Sequence, residues 1–257
     1  MPAASPSDRV MWVTPSRIAY RGLFGRPDTR RFGAWFFYVG LDKPFVLSLD
    51  SQPATQRWIA LVPPYTPHRV ATADRSLGQV LLESETIGAQ KQLRALIEGP
   101  ARARQTRRRI LEGFDRAVPE PEAFDAHFFG VTLAKRAIDP RIARIIETLG
   151  AAQDGDLSAK EWAAHLGVTA SHFTHLFTDQ AGCAFRRIRA WKRARSLLPI
   201  VDSQASLVDI ALDIGYADST HFSHAIRQHF GYKPSDIFAG SRRLSVVSNW
   251  SRQPLAA

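Results

Sequence analysis

The sequence predicts an α+β chain. A β-rich first part is followed by basic helices, and an all-helical second part holds two matched helix pairs joined by a linking helix. Three observations carry this. Short runs rich in β-branched and aromatic residues fill positions 11–86, divided by Gly, Pro and Asp turns. Apolar residues recur at helical spacing from about residue 140 to 238. Within that stretch "SHFTHLFTDQAG", beginning at Ser171, returns as "THFSHAIRQHFG", beginning at Thr220, at an offset of 49 with no gap.

The first zone contains "RFGAWFFYVG", "PFVLSLD", "RWIALVPP" and "LGQVLLES". Several short strands at regular spacing suggest a sandwich or small barrel, over about 11–87. Helices are expected over about 88–118. There Leu93, Leu96, Ile97, Ile110, Leu111 and Phe114 fall at helical spacings, with Arg102, Arg104, Arg107, Arg108 and Arg109 between them. "AVPEPEAFD" reads as a Pro- and acid-rich break. Domain boundaries are placed at 1–130 and 131–240. Residues 241–257, "SRRLSVVSNWSRQPLAA", have no clear period and are expected to form a loose tail.

Each repeat is a helix, a Gly turn and a second helix. In the first, Ser158 and Glu161 form a capping box, Trp162, Ala163 and Leu166 face inward, and Gly167 ends the helix. Thr169 caps the next helix. Its Phe173, Leu176 and Phe177 make a buried stripe, and Ser171, Thr174, His175 and Thr178 make an outward one. In the second, Ser206 caps, Asp209 follows three residues on, and Gly215 ends the helix. Phe222, Ile226 and Phe230 then point in, while Thr220, Ser223, His224 and Arg227 point out. His172 and His221 sit beside the buried phenylalanines. His172 reads as a packing residue, and His221 stays open between packing and contact. Between the units, "AFRRIRAWKRARSLLPI" predicts an amphipathic helix about 20 Å long. Its apolar side is Phe185, Ile188, Trp191, Ala194, Leu197 and Leu198, and its polar side is Arg186, Arg187, Arg189, Lys192, Arg193 and Arg195.

Such a unit is the helix-turn-helix arrangement, whose second helix enters the DNA major groove. Hydroxyl and imidazole groups can donate to or accept from base edges and phosphates. Hydroxyls near helix N-termini sit where backbone N–H groups favour phosphate. Two heads on one linking helix could lie about one DNA turn, ~34 Å, apart.

Charge is a coarser guide. The 257 residues carry 34 Lys and Arg against 24 Asp and Glu, a net +10. That favours an anionic partner, nucleic acid or a membrane surface, or reflects an Arg-rich composition alone. Residues 1–153 hold 22 basic against 15 acidic side chains, and residues 154–257 hold 12 against 9. The excess therefore does not follow the helical repeats. The single cysteine, Cys183, leaves no disulfide and no cysteine metal cage, and fits a reducing cytoplasm. "MPAASPSDRV" is not a signal peptide, and no run of about 18 apolar residues predicts a membrane span.

Residues 156–238 resemble the DNA-binding domain of the AraC/XylS family of bacterial transcription regulators. The pieces that carry the likeness are "LSAKEWAAHLGVTASHFTHLFTDQAGCAFRRIRAWKRARSLL", "IALDIGYADSTHFSHAI" and the closing "FGYKPSDIF". The resemblance implies base contacts from Ser171, Thr174, His175, Thr220, His221 and His224. Phosphate contacts are expected from Thr169, Arg187, Lys192, Arg193, Ser219 and Arg227. The family commonly has Arg or Gln at several reading positions, so His, Ser and Thr here leave the operator sequence open. "WIALVPPYTPHRV" resembles the Pro- and His-bearing turn of the cupin-type barrels that often precede this domain. That implies a cupin-like barrel binding a small effector or mediating dimerisation, with the following helices as the dimer contact. Trp35, Phe37, Trp58 and His68 are the candidate effector residues.

The whole resemblance implies a cytoplasmic regulator, dimeric through its N-terminal domain, with double-stranded DNA and RNA polymerase as partners. An alternative keeps the DNA-binding domain but has a protein partner gate it, with no small ligand. No enzyme, cofactor or metal is expected. His68 is the only histidine of the β zone, too few for a metal-binding cupin. The alkyl-transfer repair proteins that share this DNA-binding domain need N-terminal cysteines, and this chain has none.

Overall fold

A computed structural model describes residues 9–50, 52–149, 157–203 and 205–248. Eight strands come first: β1 (Val10–Val13), β2 (Arg17–Leu23), β3 (Ala34–Val39), β4 (Phe45–Leu49), β5 (Thr55–Arg57), β6 (Ile59–Val62), β7 (His68–Thr72) and β8 (Ser76–Glu83). Helices follow: α1 (Gln90–Ala95), α2 (Gly99–Phe114), α3 (Phe124–Phe129), α4 (Pro140–Thr148), α5 (Ala159–His165), α6 (Ala170–Ala181), α7 (Phe185–Arg195), α8 (Leu207–Asp213), α9 (Ser219–Phe230) and α10 (Pro234–Ser241). A last strand, β9 (Ser245–Ser248), closes the order. The fold is α+β, as predicted.

The strands form a six-stranded sheet, β6-β3-β8-β2-β1-β9, and a three-stranded sheet, β5-β4-β7. An isolated bridge between Arg30 and His68 lies outside the named ladders. Strand β3 explains why "AWFFYV" shows no apolar–polar alternation: every residue in it is buried. Trp35, Phe37 and Val39 pack with Ile110, Phe114, Phe128 and Phe129 of α2 and α3. Ala34, Phe36 and Tyr38 pack with Phe45, Leu47 and Val70, and with Trp191, Phe222 and Phe230 of the helical part. A third core belongs to the first helix pair, with Ile142, Ile145, Phe173, Phe177, Phe185 and Ile188. Thus the second helix pair shares a core with the sheets, and the first pair has its own.

Three expectations are corrected. The tail is ordered where β9 pairs in parallel with β1, Val10 opposite Ser245 through Val13 opposite Ser248. Its alternating valines reach both neighbouring cores, Val246 one and Val247 the other. The rest of the expected tail, 249–257, lies outside the described residues. "AVPEPEAFD" is only partly a break, because α3 begins at Phe124. Asp125 there receives a bidentate contact from Arg17 of β2, at 2.8 and 3.1 Å, both side chains buried. Finally, Leu93, Ile110 and Phe114 are buried in the chain's own core, with Leu96, Ile97 and Leu111 packed against it. These side chains are occupied within one chain and do not form a free dimer face.

Candidate nucleic-acid interface

Both helix pairs are built by the local signals the sequence carries. Ser158 accepts from Glu161 N while Glu161 Oε2 accepts from Ser158 N, a complete capping box. Thr169 Oγ1 caps α6 by accepting from His172 N, at 3.2 Å. Ser206 Oγ accepts from Asp209 N at 3.1 Å. Gly167 and Gly215 take positive φ, 66° and 83°, in the two turns. A side chain at either would sit in strained backbone.

On α6, Ser171, Thr174 and His175 are exposed while Phe173 and Phe177 are fully buried. On α9, Thr220, His221 and His224 are exposed while Phe222 and Ile226 are fully buried. All six candidate base contacts therefore lie on solvent faces, three per unit. Two local bonds qualify them. Thr174 Oγ1 donates to Ser171 O at 2.9 Å, so it offers its lone pairs outward rather than its proton. His221 Nδ1 lies 3.4 Å from Asp218 Oδ2. His172, read as a packing residue, is exposed instead. Its neighbour Phe173 fills the core alone, so the imidazole is left to solvent.

The phosphate candidates divide. Thr169, Arg187, Ser219 and Arg227 are exposed. Arg193 is half-buried, its guanidinium 5.5 Å from the Tyr216 ring. Lys192 is a correction. It is 6% exposed, with Nζ 3.1 Å from Glu83 Oε2 and 2.5 Å from Glu85 Oε1. The start of α9 also differs from expectation. Asp218 is its cap, and Oδ1 accepts from Thr220 N and His221 N, each at 2.8 Å. These bonds hold the Asp218 carboxyl below its usual range, the His221 N–H foremost. A charged cap already engages the N–H groups that a phosphate beside Ser219 would have met.

Lys192 belongs to a buried cluster that the sequence did not announce. Glu83, at the end of β8, is fully buried. Its Oε2 accepts from Trp191 Nε1 at 2.9 Å and its Oε1 lies 2.6 Å from Arg195 Nε. Arg195 also donates to Thr14 O. Two carboxylates thus face two cations. Desolvation pushes the Glu83 carboxyl up, against the pull of Lys192 and Arg195. Trp191 closes the contact. A Cβ on Gly33 would lie 2.3 Å from its ring, so only glycine lets β3 and α7 approach this closely. The α7 helix, 11 residues and about 16 Å long, is therefore seated on the sheet. A second contact joins the far end of α9. His229 Nδ1 donates to Arg31 O at 2.9 Å, and Asp28 N donates to Gly231 O at 2.8 Å.

The four candidate effector residues do not form one site. Trp35 and Phe37 are buried on the α2/α3 side of β3. Trp58 is 45% exposed, with Arg107 4.5 Å from its ring centre. His68 is buried near the opposite side of β3, Nε2 2.7 Å from Tyr38 Oη and Nδ1 2.8 Å from Thr66 O. Burial lowers its pKa to about 4. The unfolded chain therefore takes up this proton first as pH falls, and the stability present above about pH 6.5 is lost on the way to pH 4. Between pH 7 and 4.5 this histidine alone removes roughly 2–3 kcal/mol. In urea denaturation, His68→Gln should flatten the acid slope by about that amount; an unchanged slope would mean His68 titrates normally.

Among the described residues no cluster of His, Cys, Asp or Glu could hold a metal, and no helix is long and apolar enough to cross a membrane. Cys183 is a free, half-buried thiol, and burial pushes its pKa up.

Residues 162–240 match the family described as a helix-turn-helix domain. The chain is 33% identical over 72 residues to the invasion protein InvF of Salmonella typhimurium, a match covering 28% of this chain and 33% of InvF. The chain thus matches about a third of the length of the curated relatives, InvF of Salmonella typhi included. An apo variant of ToxT from Vibrio cholerae strain SCE256 has a TM-score of 0.56 at 9% identity, over 88% of this chain and 97% of that one. ToxT from Vibrio cholerae O395 bound to (E)-4-(8-methylnaphthalen-1-yl)but-3-enoic acid gives 0.53 at 11% identity, over 87% and 98%. At such identities the likeness is one of fold, and it runs through both the sheet-rich and the helical parts.

Proposed function

We infer that this chain, an AraC/XylS-type regulator by its C-terminal domain, binds specific double-stranded DNA sequences and controls transcription in the cytoplasm. The observation that carries this is the pair of matched helices α6 and α9, each burying phenylalanine and exposing hydroxyl and imidazole groups. Ser171, Thr174 and His175 read one major groove, and Thr220, His221 and His224 read another. Thr169, Arg187, Arg193 and Arg227 are the phosphate partners, and Ser219 offers its hydroxyl alone, because Asp218 holds the N–H groups beside it. Lys192 is withdrawn from that set. A small molecule bound in the N-terminal domain controls the regulator, which works as a homodimer and acts on RNA polymerase. The ToxT complex with a small carboxylic acid supports such a ligand.

Selection of bound fragments from genomic DNA tests the reading and supplies the operator. His175→Ala or His224→Ala should then weaken binding to that operator by about 1–3 kcal/mol and leave random DNA nearly untouched. Equal loss on both would remove these residues from base reading. A metabolite that raises the melting temperature of the full chain supports small-molecule control, and co-purification of a stoichiometric protein supports gating by a partner.

A further inference from the structure

An open groove of about 370 Å³ lies beside β4 and β7, bounded by Gly25, Arg26 and Pro27 on one side and by Ala73 and Arg75 on the other. Its volume is that of a small-ligand site. Strand alternation builds its floor. Phe45, Leu47 and Val70 go to the core, so Val46, Arg69 and Ala71 face outward. Three arginines line it, Arg26, Arg69 and Arg75, and the Asp28 carboxylate stands beside Arg69, so the cations outnumber the acid there. Arg69 is already oriented. Its Nε donates to Thr29 Oγ1 at 2.8 Å, and one terminal nitrogen lies 3.1 Å from Asp28 Oδ1. Its remaining terminal nitrogen stays available. Arg75 holds the turn before β8 at φ 56°, a left-handed conformation uncommon for a bulky side chain, and its carbonyl accepts from Phe24 N at 2.6 Å. Val46, Pro27 and Ala73 supply apolar surface between the cations.

We propose that this groove binds a small organic anion with an apolar body, and that its occupant controls the second DNA-reading helix. The proposal rests on the regulator reading above and supplies the effector site that reading lacks. Charge and surface set the ligand class: guanidinium groups recognise a carboxylate or similar anion, and the valine, proline and alanine surface takes the apolar part. The route to α9 is short. The segment that forms one wall of the groove continues into the contact with the end of α9. Asp28 N donates to Gly231 O, and Arg31 N donates to His229 O at 3.2 Å. A Cβ on Gly25 would meet the Tyr232 ring at 3.2 Å, and the Arg30 guanidinium lies 5.2 Å from that ring. A ligand that shifts residues 25–28 must therefore shift the seat of α9, while α6, with its separate core, is not held by this segment.

The test uses the full chain with two probes, 4-phenylbutyrate and 8-anilinonaphthalene-1-sulfonate, and 4-phenylbutanol as the uncharged match. Calorimetry should give saturable binding of both anions and none of the alcohol. Arg69→Ala and Arg26→Ala should each weaken it at least tenfold, and Arg104→Ala on the exposed side of α2 should leave it unchanged. Saturating 4-phenylbutyrate should change affinity for the selected operator at least fivefold, a typical allosteric coupling, and the operator should change probe affinity by the same factor. No saturable binding by either anion, or binding indifferent to both arginine substitutions, overturns the site. Binding that leaves operator affinity unchanged overturns the coupling. If no operator can be selected yet probe binding still depends on Arg69, the regulator reading fails and the anion site stands.

Discussion

Glu83→Ala should destabilise the full chain by about 3–5 kcal/mol in urea denaturation. Glu83 has no exposed surface and faces Trp191, Lys192 and Arg195 within 3.1 Å. Removing its carboxylate takes from Lys192 and Arg195 an acid they share, and leaves an indole N–H without its acceptor. Each orphaned group then bears its full desolvation cost, whereas the intact cluster roughly balances desolvation against attraction. The magnitude has a built-in control. Replacing the whole set together, with Glu83→Met, Glu85→Leu, Lys192→Met and Arg195→Leu, should recover much of the loss, because an apolar contact of similar volume needs no partners. A loss below about 1 kcal/mol for Glu83→Ala would mean that water reaches the cluster. The specific consequence concerns α7. The cluster fixes that helix on the sheet, so its loss frees the connection between the two reading helices before either unfolds.

The same cluster shows where sequence reading stops. Local signals fixed much of the helical part: the capping box at Ser158 and Glu161, the caps at Thr169 and Ser206, and the turn glycines Gly167 and Gly215 all involve neighbours within three or four positions. The 49-residue repeat added the pairing of the two units. Helical spacing does set Lys192 and Arg195 apart, four positions after Ile188 and Trp191 and so on the buried side of α7, but a basic side chain there gives no hint of the acid it meets. Their partner Glu83 is more than a hundred positions away, at the end of a strand. In the β-rich part, "RFGAWFFYVG" announced a strand but not which face meets which core, because β3 is buried on both sides. The sequence alone therefore groups Trp35 and Phe37 with His68, from which the strand itself separates them. The groove at Arg69 was equally hidden, since it is assembled from segments around residues 26, 46, 69 and 75. Strand β9 is illegible for a related reason. Four residues, "SVVS", are too few to declare a period, and pairing with β1 from the other end of the chain forms them.

Phe173→Ala and Phe222→Ala remove equivalent residues of the repeat, yet their effects should spread differently. Both rings have no exposed surface, so each substitution should cost about 3–5 kcal/mol in the structure that holds the ring. Phe173 packs with Phe177, Phe185 and Ile188 in a core confined to the first unit. Phe222 shares its core with Phe36, Tyr38, Phe45 and Val70 of the sheets. Local stability follows the core a residue belongs to rather than its place in a repeat. Amide exchange should therefore speed up along α6 in Phe173→Ala while β3 and β8 keep their protection. In Phe222→Ala, α9 and β3 should lose protection together. If β3 stayed as slow as in the parent chain after Phe222→Ala, the second unit would be an independent body. The seat of α9 on the N-terminal domain would then be too weak to carry any signal from the groove at Arg69.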